Sequence, residues 1–248
     1  MSLDAHAGGV HVTLHVWRVP GARLPRTLWR MARDRRRLRV TPGVRFAKLL
    51  GTGRGRAFGP TRADPTRWAA LVVWDDAAAA NGFDTTHVAQ AWRALASAYC
   101  RIDLRPLTSR GSWARREPFI PISPDPPAGP VLALTRARLR ATRAANFWRA
   151  IAPVAAAAGT AAGLLATFGI GEAPLGWQGT VSLWQTPRDL VEFVRHPQHR
   201  QVIERTPEQR WYAEELFARF AVLDIAGDRE VIGWFDGEDR AAMRTVPR

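Results

Sequence analysis

Cysteine occurs once, at Cys100, which excludes an internal disulfide and any cysteine-rich metal cluster. A reducing, cytoplasmic setting is therefore expected. Lysine also occurs once, at Lys48, so the formal net charge of +14 rests almost wholly on arginine. Such an excess favours anionic partners, phospholipid surfaces or nucleic acid, without choosing between them. Long polar low-complexity runs are missing, and with 46% apolar residues and eleven tryptophans the 248-residue chain is expected to fold almost throughout. The first residues, MSLDAHAGGVHV, lack the basic start and apolar centre of a secretory signal, so no export is expected. Residues 150–171 carry no charge, a length that could span a bilayer. They are mostly Ala and Gly and include Pro153, so the segment reads as a helix followed by a buried strand.

Several catalytic signatures are also missing. There is no G-x-S-x-G elbow, no Cys/His arrangement, no H-x-[DE] opening of a two-His, one-carboxylate iron site, and no E-x-x-H pair for a di-iron centre. Asp84-x-x-His87 is the nearest approach to the last of these. The glycine-rich runs Gly51-Thr52-Gly53-Arg54-Gly55 and Gly169-Ile170-Gly171 follow strand patterns. Pro60, Pro65 and Pro174 then follow, where a dinucleotide fingerprint would open directly into a helix. Tight loops or bulges between strands are expected instead.

What is present is an internal repeat with a period of roughly 120 residues. VTLHVWRV, from Val12, matches VLALTRAR, from Val131; FAKLLGTG matches LLATFGIG; WAALVVWDD, from Trp68, matches WQGTVSLWQT, from Trp177, with Trp74 opposite Trp184. The stretch 92–99 resembles 211–217, both read as helical and each leading into an apolar strand. Between the first two strands of each copy, Leu24, Leu28, Met31 and Leu38, and then Phe147, Ile151 and Val154, trace helical stripes. Each copy thus reads β-α-β-β-α-β, and the expected fold class is α+β: two tandem ferredoxin-like repeats packed as an intramolecular α+β barrel. The expected division is 1–117 for the first repeat, 118–130 for a proline-rich linker, 131–225 for the second repeat and 226–248 for a tail. Trp17, Trp74 and Trp184 are expected to line apolar space enclosed between the repeats.

Among six histidines, His11 and His15 belong to the first strand, His6 to the terminus, and His87, His196 and His199 to the second helical regions. Pro197 suits a first helical turn, leaving His196 outside the helix and His199 inside it, on a face shared with Val202 and Ile203. An inward histidine of this kind is either a hydrogen-bonded core residue or an axial ligand to haem iron. Of the carboxylates, Glu214 and Glu215 read as surface charges on a helix. Glu172, just beyond a glycine turn, is the pocket candidate, because loops at strand ends often line sites.

FAKLLGTGRG with the following FGP, TFGIGEAP with the strand VSLW, and WYAEELFARF together resemble the spheroidene monooxygenase family, in the same order over residues 12–223. The resemblance implies oxygenation of an acyclic carotenoid near an end of its polyene, electrons from a reductase or ferredoxin-type donor, and dependence on haem. It also implies that His199, which falls in the region of the family's Pro-His segment, is the axial ligand; His196 has no counterpart, and His87, in a similar place of the first copy, is the rival candidate. The run RDRRRLRV in the first helix is more basic than the family pattern, and peripheral attachment to an anionic membrane surface is expected of it. Two other readings are a non-catalytic carrier of a hydrophobic ligand and a basic nucleic-acid-binding module. The tryptophans disfavour nucleic acid, because they occupy apolar strand positions rather than alternating with arginine in a groove.

Overall fold

A computed structural model describes residues 10–53, 63–121, 128–147, 149–150, 161–172 and 177–234, without the side chains of 177, 178, 198, 199, 202, 203, 205 and 207. The first copy runs β1 (His11–Arg18), α1 (Leu24–Arg39), β2 (Val44–Gly53), β3 (Ala63–Trp74), α2 (Ala77–Gly82), α3 (His87–Leu95) and β4 (Ala98–Gly111). The second runs β5 (Val131–Leu139), β6 (Leu164–Gly171), β7 (Trp177–Trp184), α4 (Pro187–Arg195), α5 (Pro197–Gln209) and β8 (Tyr212–Gly227). Local chemistry fixes the helix starts. Thr86 and Thr186 accept from Ala89 N and Asp189 N at the heads of α3 and α4, and prolines open α1, α4 and α5.

The eight strands close into one barrel in the order β1-β3-β2-β6-β7-β5-β8-β4. Each copy contributes the order 4-1-3-2, as the ferredoxin-like reading requires, and all pairs are antiparallel. The seams differ. β4 and β8 pair from Cys100–Gly227 to Gly111–Leu216, whereas β2 and β6 meet only at Gly51–Gly171 and Thr52–Ile170. A register shift at Gly51/Thr52 marks the bulge expected of the first glycine run; residues 54–62 and 173–176 lie outside the described residues.

Alternate residues of each strand face opposite sides. The inward row is filled by Val12, Leu14, Val16, Leu71, Val73, Leu132, Leu134, Phe168, Leu216 and Phe220 with their neighbours, so the barrel interior is a packed apolar core. Beyond β4 the chain folds over one mouth, burying Trp113 and Phe119, and beyond β8 over the other, burying Val231 and Ile232. Both turns begin at a glycine with positive φ, Gly111 (91°) and Gly227 (92°). A Cβ there would strike the carbonyl oxygens of Glu215 and Tyr99 respectively.

Two expectations need correction. Residues 211–217 are not helical: Tyr212 opens β8, with Glu214, Leu216, Ala218 and Phe220 along its inward row. Trp17, Trp74 and Trp184 do not line space between the repeats. They occupy the opposite strand phase and are buried on the outside of the barrel, Trp17 and Trp74 in the core formed with α1 and α3, Trp184 with Leu190 of α4. The helices need large apolar partners on that face, and the narrow interior is already full.

Candidate functional site

At the mouth covered by Trp113, five polar side chains converge. Arg136, on the inward row of β5 and 2% exposed, forks between Glu172 (Nη2 to Oε1, 2.9 Å) and Glu214, which its Nη1 meets at close range. Glu172 accepts from Lys48 Nζ at 2.6 Å and from Trp113 Nε1 at 2.6 Å. Glu214 accepts from Arg115 N at 2.7 Å and Ser112 Oγ at 3.3 Å. The Arg136 guanidinium and the Lys48 ammonium both lie over the Trp113 ring, at 5.5 and 5.7 Å from its centroid. Burial pushes the Glu172 carboxyl up, but the Lys48 hydrogen bond and charge, with Trp113 and Arg136, outweigh it and hold it below the usual carboxylate range. Glu214 is likewise held down against its burial by Arg115 N–H and Arg136. Both carboxylates are ionised and fully engaged at neutral pH. The cluster thus sets paired charges across a barrel mouth.

The outer face shows a different contrast. His11 faces Trp74 across β1–β3, and Val131 faces Trp184 across β5–β7. With the two tryptophans matched, His15 corresponds to Thr135, Trp17 to Ala137, Ala70 to Thr180 and Val72 to Ser182. The β2–β3 and β6–β7 registers likewise match Leu49 with Gly169. In the first copy this face is one continuous core of Trp17, Leu49, Trp68, Val72, Trp74 and Trp92 with Met31, Leu38 and Phe83. Among the described residues of the second it forms two clusters: Val131, Leu164, Trp184 and Leu190 at one end, Leu139, Phe147 and Trp211 at the other. Between them Ala133, Thr135, Thr180 and Ser182 are only half-buried, while their counterparts Thr13, His15, Ala70 and Val72 are fully buried. Among the described residues, the middle of this face thus carries small and hydroxyl-bearing side chains where the first copy carries bulk.

No protein-family model matches the chain. Curated relatives do. The chain is 34% identical over 241 residues to spheroidene monooxygenase of Rhodobacter capsulatus, covering 95% of this chain and 97% of that protein. It is 37% identical over 187 residues to spheroidene monooxygenase of Rubrivivax gelatinosus, covering 75% and 72%. The chain belongs to the spheroidene monooxygenase family. It is thus a monooxygenase, and the family resemblance read from its motifs holds. A crystal structure of aldoxime dehydratase matches with a TM-score of 0.57 at 12% identity, covering 87% of this chain and 81% of that one, a likeness of fold.

In this member of the spheroidene monooxygenase family the sequence-derived candidates fall in separate places. Glu172 sits in the barrel-mouth cluster. Glu214 joins it there, which corrects its reading as a surface helix charge: at the head of the inward row of β8, its carboxylate is drawn in by Arg136. His87 is exposed at the start of α3. His196 is the residue before α5, and His199 is the third residue of that helix, whose partner is α4 in the outer layer. The helix that carries His199 thus belongs to the outer layer, not to the filled barrel interior. The inward face expected of His199, Val202 and Ile203 concerns side chains outside the described residues. His15 is fully buried, bonded to Tyr99 Oη at 2.7 Å and Thr13 Oγ1 at 2.8 Å. Among the described residues no three His, Cys, Asp or Glu side chains gather as a metal ion would require. Sequence reasoning missed Arg136, Lys48 and Trp113. The signal for Arg136 was its place on the apolar row of LALTRAR, and for Lys48 its being the chain's single lysine.

Proposed function

We propose that the chain is a haem-dependent oxygenase of an acyclic carotenoid or a similarly long apolar molecule, with its site on the outer face of the second copy, over Thr135, Thr180 and Ser182. Family membership supports the oxygenase class, and the relatives' name supplies the substrate class. The observation that carries the location is the broken outer layer, in which Ala137 and Thr135 stand where Trp17 and His15 seal the first copy. The residues fit a large planar group: a floor of small side chains on flat strands, with apolar walls at Trp184, Leu190 and Phe193 and at Leu139, Phe147 and Trp211. His199, on α5 of the same outer layer, is the residue that would hold the haem iron, through one imidazole nitrogen, with the other free to donate to an acceptor that fixes the ring. When bound, haem supplies oxygen activation, with two electrons from a ferredoxin-type donor and two protons, so that one oxygen atom reaches the substrate and the other leaves as water. The aromatic walls hold the polyene and exclude water. The hydroxyls of Thr135, Thr180 and Ser182 supply the polar contacts of the floor.

Protein produced with ample iron and haem precursor should show a Soret band, and His199→Ala should abolish it while His87→Ala leaves it intact. A folded His199→Ala protein that retains haem and oxygenation would remove His199 from the role. Purified protein that holds an apolar ligand but no iron, and does not oxygenate it, would establish the carrier reading instead.

A further inference from the structure

α1 is unlike the other helices of the outer layer. Its buried face is Thr27, Met31, Asp34 and Leu38, spaced at helical intervals against the sheet. The opposite face exposes Leu28 (53%) and Trp29 (51%) side by side, and Val40 is bare just past its end. Seven arginines share the helix with a single carboxylate, Asp34, which is turned inward beneath Arg30 and Arg37. The guanidinium groups of Arg30 and Arg33 lie 5.2 and 4.9 Å from the Trp29 ring centroid. A merely solvated face would look like α4 and α5, where Arg188 pairs with Glu192 and Arg200 with Glu204. No such balancing acid stands on the exposed side of α1.

We infer that α1 docks the protein on an anionic phospholipid bilayer, with Leu28 and Trp29 inserted at the level of the headgroups and Arg33, Arg36 and Arg39 against lipid phosphates. The pairing of an exposed Trp–Leu step with unopposed arginine is the composition of a helix that lies in the interface plane. Among the described residues no helix is long and apolar enough to cross a membrane, so attachment by one face is the mode these residues permit. Docking also reaches the body of the protein: Arg35 Nη2 donates to the Glu172 carbonyl oxygen at 2.9 Å, tying the docked helix to the barrel-mouth cluster. A surface for an acidic electron-donor protein would use the same charge. It gives no reason for two large apolar side chains left bare at the centre of the patch. The inference extends the proposed function, since a polyene dissolves in the bilayer, but its test needs neither haem nor turnover.

Flotation of the full-length protein with phosphatidylglycerol-containing vesicles and with pure phosphatidylcholine vesicles tests it. Binding is expected only to the former, weakening as salt is raised. The exposed double variant Leu28→Ser/Trp29→Ser should partition about tenfold more weakly. Arg33→Gln/Arg36→Gln/Arg39→Gln should lose on the order of a hundredfold. Arg188→Gln/Arg200→Gln should behave as wild type, and circular dichroism should show all variants folded. Equal binding to both vesicle types, no binding to either, or α1 variants that float normally but no longer bind an acidic ferredoxin-type protein would each overturn the inference, the last in favour of donor docking.

Discussion

Arg136 stands at an inward position where its counterpart in the first copy is Val16, and it brings two carboxylates, a lysine and an indole with it. Charges held this deep are tolerated only while every partner is in place. Arg136→Met should therefore cost about 3–5 kcal/mol, because Glu172 and Glu214 lose their common cation. Adding Glu172→Gln and Glu214→Gln should recover part of the loss in urea unfolding; a triple variant no more stable than Arg136→Met would contradict the pairing account. His15 makes a second residue-scale prediction. Burial, reinforced by the Arg101 charge, lowers its pKa from 6.5 to about 3, so it is neutral in the folded protein. Below pH 6.5 the unfolded chain takes up a proton there that the folded one refuses until about pH 3, so stability is lost as pH falls through that window. Asp103 acts lower. Burial raises it, but hydrogen bonds from His11 and Arg101 outweigh this and bring it to about 2 from 3.8, so its contribution is present above 3.8 and disappears as pH falls towards 2. The melting temperature should drop progressively from pH 6.5 to 4, and His15→Gln should flatten that interval; an unchanged slope would show that His15 titrates normally.

At the scale of elements, the misread segment is instructive. In WYAEELFARF, Tyr212, Leu216 and Phe220 recur at helical spacing, and a glutamate interrupts the alternation that would have revealed a strand. The alternation is real: Glu214 begins the inward row and is neutralised by Arg136 two strand-phases deep in β5, a long-range pairing that no local pattern encodes. The turn over each barrel mouth depends in the same way on contacts across the sheet. Gly111 and Gly227 are needed both for their positive φ and because a carbonyl from the neighbouring strand fills the Cβ position. Gly111→Ala should cost about 1–3 kcal/mol, read as a lower urea midpoint, while Gly21→Ala, where nothing lies within 4 Å, should be near neutral. Comparable losses at both sites would mean that helix and loop entropy, not the mouth geometry, sets the requirement.

For the whole molecule, the repeat, its strand order and the closed α+β barrel were legible, because strand and turn patterns recur in order and each half-sheet leaves a face that only its twin can cover. Which face of the barrel carries the site was not. Tryptophans at Trp17, Trp74 and Trp184 mark apolar strand phases equally well inside or outside, and only the closed topology assigns them to the helix layer. The paired segments VTLHVWRV and VLALTRAR, matched from Val12 and Val131, set Trp17 against Arg136 and His15 against Leu134; the strand registers correct that match by one residue, to Ala137 and Thr135. A tandem repeat allows one half to keep bulky residues on its outer face while the other carries small ones, and that second half is where a cofactor and a long apolar substrate are proposed to meet. Restoring the bulk tests this most directly. Ala137→Trp places in the second copy the side chain that fills the first. Ala137 is itself buried, so some loss of stability is expected, but the folded variant should lose both its Soret absorbance and the haem-induced rise in melting temperature. Wild-type haem content in folded Ala137→Trp protein would contradict it.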